Sequence, residues 1–190
     1  MKKLLKFIFI GLIIVLVIGF LVVQYLKSDF YNPFDNKKFE HLKTQIDSSN
    51  ELPSEFVKVF NEINPITNTD GIITDRLKEK FDRECPCLSA GNISLVNEIS
   101  RFKINQYVLG WKLEKEFTQK ECLNYYVQNF DFLNNSKGLN SASEFYFNKR
   151  ISDLNYEELA TLVLMLKNPT LYNPKRYPER LKEKLSELKN

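Results

Sequence analysis

The first thirty residues contain an uninterrupted apolar run, which constrains the chain more than any other feature. From Phe7 to Leu26 the sequence reads FIFIGLIIVLVIGFLVVQYL and carries no charge. Twenty helical residues at about 1.5 Å each span about 30 Å, the thickness of the hydrocarbon core of a bilayer. The run therefore predicts a transmembrane helix over residues 7–26.

The charges beside this run predict its orientation. Lys2, Lys3 and Lys6 precede it, whereas only Lys27 follows it closely. Basic residues favour the cytoplasmic side, so we expect residues 1–6 in the cytoplasm and residues 27–190 outside the membrane. A cleaved signal peptide is the alternative, but its apolar core would be shorter and no small-x-small cleavage site follows the run. We expect a retained single-pass anchor in the cytoplasmic membrane.

The positive and negative charges outside the N-terminal segment are balanced. The chain has 27 Lys and Arg against 24 Asp and Glu, and the surplus of three equals the lysines before Phe7. Residues 7–190 are thus balanced, which gives no support for nucleic-acid binding. The single histidine, His41, also argues against His-rich metal sites and a His-based catalytic relay.

Three cysteines give little evidence for disulfides or a metal site. Cys85 and Cys87 are only two residues apart, an awkward spacing for a bridge between them, and the count is odd. Cys122 lies in an apolar helical pattern, which predicts a small core residue. Cys-Pro-Cys without a histidine or a second cysteine pair predicts no metal site.

The rest of the chain reads as helices joined by polar segments. Residues 27–50 are polar and predict a juxtamembrane connector with short helical pieces, and residues 51–190 predict one all-α domain. The expected elements are a helix from Pro53-Ser54 through Glu62, a charged helix over 75–82, a loop over 84–91, a long helix over 93–117, helices opened by the capping patterns Thr118–Glu121, Ser141–Glu144 and Asn155–Glu158, and a last helix from Pro178.

The C-terminal part resembles a known family. Residues 120–174 can be laid without a gap on the last conserved block of the family 51 glycosyltransferases, the peptidoglycan glycosyltransferase domain of penicillin-binding proteins. The matching positions are Leu123, Tyr126, Gly138, Ala142, Tyr146, Phe147, Lys149, Leu154, Glu158, Ala160, Leu162, Pro169, Tyr172 and Pro174. Most of these are better explained by helix packing than by substrate contact. The resemblance implies a lysozyme-like helical fold and leaves catalysis to be argued elsewhere.

The family chemistry needs carboxylates. By resemblance, such enzymes polymerise lipid II outside the membrane, with one carboxylate as general base on the acceptor hydroxyl. A second Glu acts near the pyrophosphate, usually with a divalent cation, so Mg²⁺ or Mn²⁺ is implied if the chain is active. General base catalysis contributes about 10²–10⁴-fold, and an amide cannot supply it.

Counting back from the gapless block places the second Glu position at Gln106. Lys103 then stands at the basic position of that motif, and Arg101 is one place off. Gln106 would thus be a nearly isosteric amide in place of a carboxylate. Alternatively, it is an ordinary polar residue on a mostly apolar helical face.

The first Glu position has two registers. Counting forward from Leu52-Pro53 reaches Asn64-Pro65, whereas counting back from Gly71 reaches Glu62 and needs a two-residue deletion. Glu62 is therefore a candidate general base, or else a solvated residue at a helix end.

Residues 91–98 match the middle motif of the family only weakly, so Ser94, Asn97 and Glu98 are weak candidates for substrate binding.

Three functions remain open at this point. The chain is a degenerate family member that binds lipid II, glycan strands or another cell-wall synthase without efficient turnover, an active glycosyltransferase with Glu62 as its base, or a non-catalytic helical scaffold.

Overall fold

A computed structural model describes residues 2–96 and 102–188, and this part of the chain is helical. The helices are α1 Lys2–Lys27, α2 Asn36–Asp47, α3 Ser54–Ile63, α4 Thr69–Leu77, α5 Pro86–Ser94, α6 Asn105–Leu113, α7 Gln119–Asn129, α8 Leu139–Phe147, α9 Tyr156–Lys167 and α10 Pro178–Glu187, with a 3₁₀ turn at Ile151–Asp153. Within these ranges no strand forms, and only two isolated β-bridges occur. The predicted all-α fold is confirmed.

Helix α1 contains the apolar run and stands apart from the domain. It is long and apolar enough to cross a membrane, and none of its most apolar window is buried against the rest of the protein. Its large apolar side chains are exposed, and such exposure is unfavourable in water but favourable in lipid.

The predicted connector contains helix α2, which packs on α7. The Asp35 side chain caps α2 by accepting from the Lys38 N–H at 3.0 Å. Phe39, Leu42 and Ile46, spaced at three and four residues, are buried in the same core as the later helices.

The domain core lies around α5 and α9. Helix α5 packs against α6 and α7, and α9 packs against α3, α8 and α10. The largest fully buried side chains come from most of these elements and include Phe56, Phe60, Leu109, Leu113, Leu123, Phe132, Leu162 and Met165. This core leaves the end of α3 facing the start of α5 and the end of α9.

Several predicted helices are confirmed with their caps. Helix α3 starts at Ser54 directly after Pro53. The capping boxes Thr118–Glu121 and Asn155–Glu158 form with both reciprocal hydrogen bonds at the starts of α7 and α9. Pro178 begins α10, whose Leu181 is buried.

The prediction of a loop over 84–91 is wrong, because helix α5 begins at Pro86. Pro86 stands in the first turn, where its missing N–H costs nothing. Gly91 lies inside α5 where it crosses α6, and a Cβ there would come 2.7 Å from the Leu109 Cδ2 atom. The lack of a side chain at Gly91 therefore permits close packing of α5 against α6, and Gly91 does not form a turn.

Three further boundaries differ from the predictions. The charged helix expected over 75–82 is instead α4, which starts earlier because the Asn68 side chain accepts from the Gly71 N–H at 2.8 Å. The long helix expected over 93–117 is not continuous, since α5 ends at Ser94 and α6 begins at Asn105. Ser141 does not cap a helix, because α8 already begins at Leu139.

Gly138 precedes α8 with φ +78°. A Cβ on Gly138 would come 2.6 Å from the Gln128 carbonyl oxygen, so this entry to the helix requires glycine.

Cys122 is a buried core residue, as expected, but it also forms a disulfide, for which the cysteine spacing had given little evidence. Cys122 in α7 forms a disulfide with Cys87 in α5, across a sequence separation of 35 residues. The helical periodicity that buries Cys122 also points it at α5, where Cys87 is fully buried. Cys85 keeps a free, buried thiol, and burial raises its pKa to about 12. That thiol is consequently unreactive at neutral pH.

Candidate functional site

Glu62 lies in the last turn of α3 on the protein surface. Its side chain is exposed and borders a depression of about 180 Å³, together with Lys58 and Tyr156 at the start of α9. Burial first, and then the nearby charge of Glu62, raises the pKa of the Tyr156 hydroxyl. Gln106 is not among the residues that line this depression.

Asn64, the first-motif position in the other register, is completely buried at the end of α3. Its backbone N–H donates to the Phe60 carbonyl oxygen at 2.7 Å. Its side-chain Oδ1 and Nδ2 have no hydrogen-bond partner within the described ranges. Buried amides are nearly always hydrogen-bonded, so this side chain marks a place where a partner is missing.

The Asn64 side chain borders a small cavity of about 10 Å³, which we call the Asn64 cavity. Its lining residues come from α3, α5, α7, the end of α9 and the segment before α5: Phe60, Asn64, Glu84, Pro86, Ser89, Tyr126, Leu166 and Lys167. The Tyr126 hydroxyl donates to the Leu166 carbonyl oxygen at 3.1 Å and is therefore already satisfied.

Glu84 is a half-buried carboxylate that faces the same cavity. Its backbone pairs with the chain just after Asn64, since Glu84 N–H donates to Pro65 O at 3.0 Å and Thr67 N–H donates to Glu84 O at 2.8 Å. Burial raises the pKa of Glu84, while the charge of Lys167 opposes this shift. Burial also raises the pKa of Tyr126, with the charge of Glu84 adding to it.

The Glu84 carboxylate has no hydrogen bond or ion pair among the residues that the structure describes. A half-buried carboxylate with a raised pKa in a cleft is typical of functional sites. Sequence reasoning missed Glu84, because its position depends on backbone pairing with Pro65 and Thr67 and matches no spacing rule.

A second cavity of about 220 Å³ adjoins the first and shares Glu84 and Ser89 with it. Its lining includes Arg76, Lys80 and Arg83. Arg83 is held by Asp75 through two hydrogen bonds, from Nε at 2.7 Å and from one terminal nitrogen at 2.5 Å. These bonds lower the pKa of Asp75 and fix the guanidinium at the wall of the cavity.

The other predicted site residues that the structure describes do not line these cavities. Gln106 is half-buried in the first turn of α6, and Lys103 is exposed just before that helix. The Ser94 hydroxyl donates to Ala90 O at 2.7 Å and lies 2.9 Å from the Tyr125 hydroxyl, within an internal network. Asn97 and Glu98 lie outside the described residues.

The carboxylate of Glu114 is the acceptor at the centre of a polar network. Its Oε1 atom accepts from Thr69 N at 2.7 Å, Thr69 Oγ1 at 2.9 Å, Gln119 Nε2 at 2.9 Å and Cys85 Sγ at 3.2 Å. These donors come from α4, α7 and the residue before α5. The carboxylate therefore holds the start of α4 against α6 and has no free acceptor face on that oxygen.

The described residues offer no ready site for a divalent cation. Within residues 2–96 and 102–188, no group of three or more His, Cys, Asp or Glu side chains is arranged to hold a metal ion.

The sequence of this chain matches a family model described as "Transglycosylase" over residues 90–189. The chain belongs to the transglycosylase family. This is the peptidoglycan glycosyltransferase family 51, so the resemblance of residues 120–174 is confirmed. The matched region begins inside α5 and extends beyond α10, and therefore includes the core helices α6 to α9.

Curated relatives of this transglycosylase domain are penicillin-binding proteins. The chain is 35% identical over 96 residues to penicillin-binding protein 1A of Pseudomonas aeruginosa, covering 50% of this chain and 12% of the relative. It is 27% identical over 163 residues to penicillin-binding protein 1A of Streptococcus pneumoniae, covering 75% and 23%. It is 35% identical over 75 residues to penicillin-binding protein 4 of Bacillus subtilis, covering 40% and 12%. The match thus spans less than a quarter of the length of each relative.

Proposed function

We propose that this protein is a membrane-anchored, extracytoplasmic member of the transglycosylase family that binds lipid II or peptidoglycan glycan strands without efficient turnover. Family membership supports a glycan or lipid II ligand. Binding by another cell-wall synthase is a further role of the same surface.

One observation supports the proposal: Asn64, which takes the position of the base in one of the two registers of the first motif, is an amide that is completely buried at the end of α3. A carboxamide can donate and accept hydrogen bonds but cannot take up a proton at neutral pH. Gln106 repeats this exchange at the second Glu position. Both amides lack proton-accepting capacity at neutral pH, and Gln106 keeps nearly the shape of a Glu, whereas Asn64 is one methylene shorter.

The proposed location is supported by the anchor and the disulfide. Lys2, Lys3 and Lys6 before α1 favour a cytoplasmic N-terminus. The disulfide between Cys87 and Cys122 is typical of proteins that fold in an oxidising compartment, which is the outer side of the bacterial cytoplasmic membrane.

The end of the anchor is also fastened to the domain. Lys27 Nζ lies 2.7 Å from the Asp70 carboxylate and 4.8 Å from the centre of the Trp111 ring. Trp111 Nε1 donates to the same carboxylate at 2.9 Å. These contacts would hold α4 and α6 close to the membrane surface, where a lipid-linked ligand is found.

An active glycosyltransferase with Glu62 as general base is the second candidate. It is favoured by the position of Glu62 beside an open depression of about 180 Å³ with Tyr156 next to it. This candidate requires lipid II polymerisation that Glu62→Gln abolishes. The third function, a helical scaffold, requires neither ligand binding nor turnover.

The full chain in detergent micelles, mixed with lipid II and either Mg²⁺ or Mn²⁺, tests the proposal. We expect saturable binding of lipid II and no glycan polymer. Polymer formed by the wild-type protein would contradict the proposal and support an active enzyme. Absence of binding to lipid II, to glycan strands and to a purified synthase would leave only the scaffold.

A further inference from the structure

Two polar side chains facing one cavity have no hydrogen-bond partner. Asn64 is fully buried with both Oδ1 and Nδ2 unpaired, and the half-buried carboxylate of Glu84 has no partner in the described ranges either. Buried amides are nearly always hydrogen-bonded, so leaving both atoms of this one unpaired is unfavourable. A fold that keeps two such groups side by side is arranged for something that pairs with both.

The size of the Asn64 cavity restricts what that partner is. A volume of about 10 Å³ has room for about one water molecule, and equally for one hydroxyl group. A larger group, such as a carboxylate or a whole sugar ring, does not fit in this space. The adjoining cavity of about 220 Å³, which shares Glu84 and Ser89, has room for the rest of a ligand.

The hydrogen-bonding capacity of the cavity also matches a hydroxyl group. An ionised Glu84 only accepts, whereas Asn64 offers two N–H donors and one carbonyl acceptor. A hydroxyl has one donor and two acceptor lone pairs, so it can donate to Glu84 and accept from Asn64 Nδ2 at the same time. Tyr126 does not compete, because its hydroxyl is bound to Leu166 O.

We propose that Asn64 and Glu84 form a binding site for a single hydroxyl group of a glycan ligand, with the attached sugar lying in the adjoining cavity. The ligand class rests on the proposed function. Glu84 is here a binding residue that supplies a charged acceptor, and Asn64 supplies the donor. A hydrogen bond to a charged group is worth about 1.5–3 kcal/mol, which corresponds to roughly 10- to 150-fold in affinity.

Two variants remove one half of the site each. Glu84→Ala deletes the acceptor, and Asn64→Leu replaces the unpaired amide by an apolar side chain of the same branching and greater volume. Glu84→Gln keeps an oxygen acceptor without the charge. Glu144→Ala is the matched control, since Glu144 is an exposed carboxylate on α8 away from both cavities.

The full chain in detergent micelles is titrated with lipid II and, in a second arm, with free peptidoglycan glycan strands. We expect Glu84→Ala and Asn64→Leu to weaken binding at least about tenfold, Glu84→Gln to weaken it less, and Glu144→Ala to leave it unchanged. Unfolding temperatures measured in parallel show that each variant is folded. The arm that shows the loss identifies whether the lipid-linked or the free glycan carries the hydroxyl.

The outcomes separate this inference from the proposed function. If wild-type protein binds but Glu84→Ala and Asn64→Leu bind equally well, the hydroxyl site is wrong and the proposed function stands. If the wild type binds neither lipid II nor glycan strands, the proposed glycan-binding function and the hydroxyl site are both overturned.

Discussion

The C-terminal block over residues 120–174 and the segment that carries Asn64 and Glu84 differ in how fully their polar side chains are paired. In the block, polar side chains at family positions have partners inside the fold. The Tyr146 hydroxyl donates to Phe132 O at 2.6 Å and accepts from Asn173 Nδ2 at 3.2 Å, and Lys149 pairs with Glu158 at 2.6 Å. Near Asn64, by contrast, an amide and a carboxylate face a cavity unpaired.

This difference separates residues that build the fold from residues that face a ligand. Satisfied polar groups stabilise helix ends and corners, so their presence identifies a family fold without identifying an activity. Unsatisfied groups reduce stability and persist where something else pairs with them. Variants in the block should therefore affect stability alone, whereas variants around Asn64 should affect ligand binding.

The disulfide joins the two regions, and its loss should have the largest effect on stability. Removing it with Cys87→Ala and Cys122→Ala should lower the free energy of unfolding by about 2–5 kcal/mol, because the unfolded chain regains the freedom of a long loop. Chemical denaturation measures this change in the free energy of unfolding. Cys85→Ala, which removes a buried thiol outside the bridge, is the control, and an equal loss there would contradict the prediction.

Loss of the Glu114 carboxylate should have the next largest effect. Glu114→Ala leaves donors of Thr69 and Gln119 without their acceptor, and we expect about 1–3 kcal/mol of destabilisation. Glu116→Ala removes only an exposed ion pair with Lys43 and should cost less than about 1 kcal/mol. Equal losses in the two variants, measured by urea denaturation, would show that the network is not structural.

A cap inside the C-terminal block should matter for stability and not for binding. Asn155→Ala removes the side chain that accepts from Glu158 N–H at 3.0 Å and should cost about 1 kcal/mol. Asn155→Ser keeps a capping oxygen and should recover most of the loss. Thermal unfolding and lipid II titration of both variants test this prediction. Weakened lipid II binding by a folded Asn155→Ala protein would contradict the assignment of the block to stability alone.

Glu84→Gln should have the smallest effect on stability, and in the opposite direction. Folding raises the pKa of Glu84, so ionised Glu84 disfavours the folded state at neutral pH. Lys167 and Tyr126 line the Asn64 cavity with it, and Asp75, Arg76, Lys80 and Arg83 line the adjoining cavity that it also borders. We expect the variant to unfold at a higher temperature than wild type near pH 7.

The difference in unfolding temperature between Glu84→Gln and wild type should shrink as the pH falls, because Glu84 becomes protonated in both the folded and the unfolded state. It should vanish below the ordinary carboxyl pKa. Unfolding temperatures of wild type, Glu84→Gln and the surface control Glu144→Gln, recorded across this range, test the sign. A Glu84→Gln protein that is less stable at pH 7 would show that the carboxylate is structural.

Much of the fold could be predicted from local sequence signals. The starts of α3, α7 and α9 follow from proline and capping patterns that act within four residues. Helix α5 could not, because Pro86 and Gly91 are usually helix breakers. Their helical role depends on the position of Pro86 in the first turn and on the approach of Leu109.

The site was less predictable, because its geometry depends on contacts distant in sequence. Spacing alone left Glu62 and Asn64 as alternatives, and only the direction of the last turn of α3 separates an exposed side chain from a buried one. Glu84 belongs to no recognised sequence motif. Its place beside Asn64 and Lys167 arises from pairing of the segments around Pro65 and Glu84 and from packing of α9.

The central claim is that the protein binds lipid II or glycan strands without efficient turnover, because amides stand at the positions proposed for the two catalytic carboxylates. Polymerisation of lipid II by the wild-type full chain, with binding measured in the same samples, tests this most directly. The account predicts saturable binding and no polymer with either Mg²⁺ or Mn²⁺. Glycan polymer produced by the wild-type protein would contradict it.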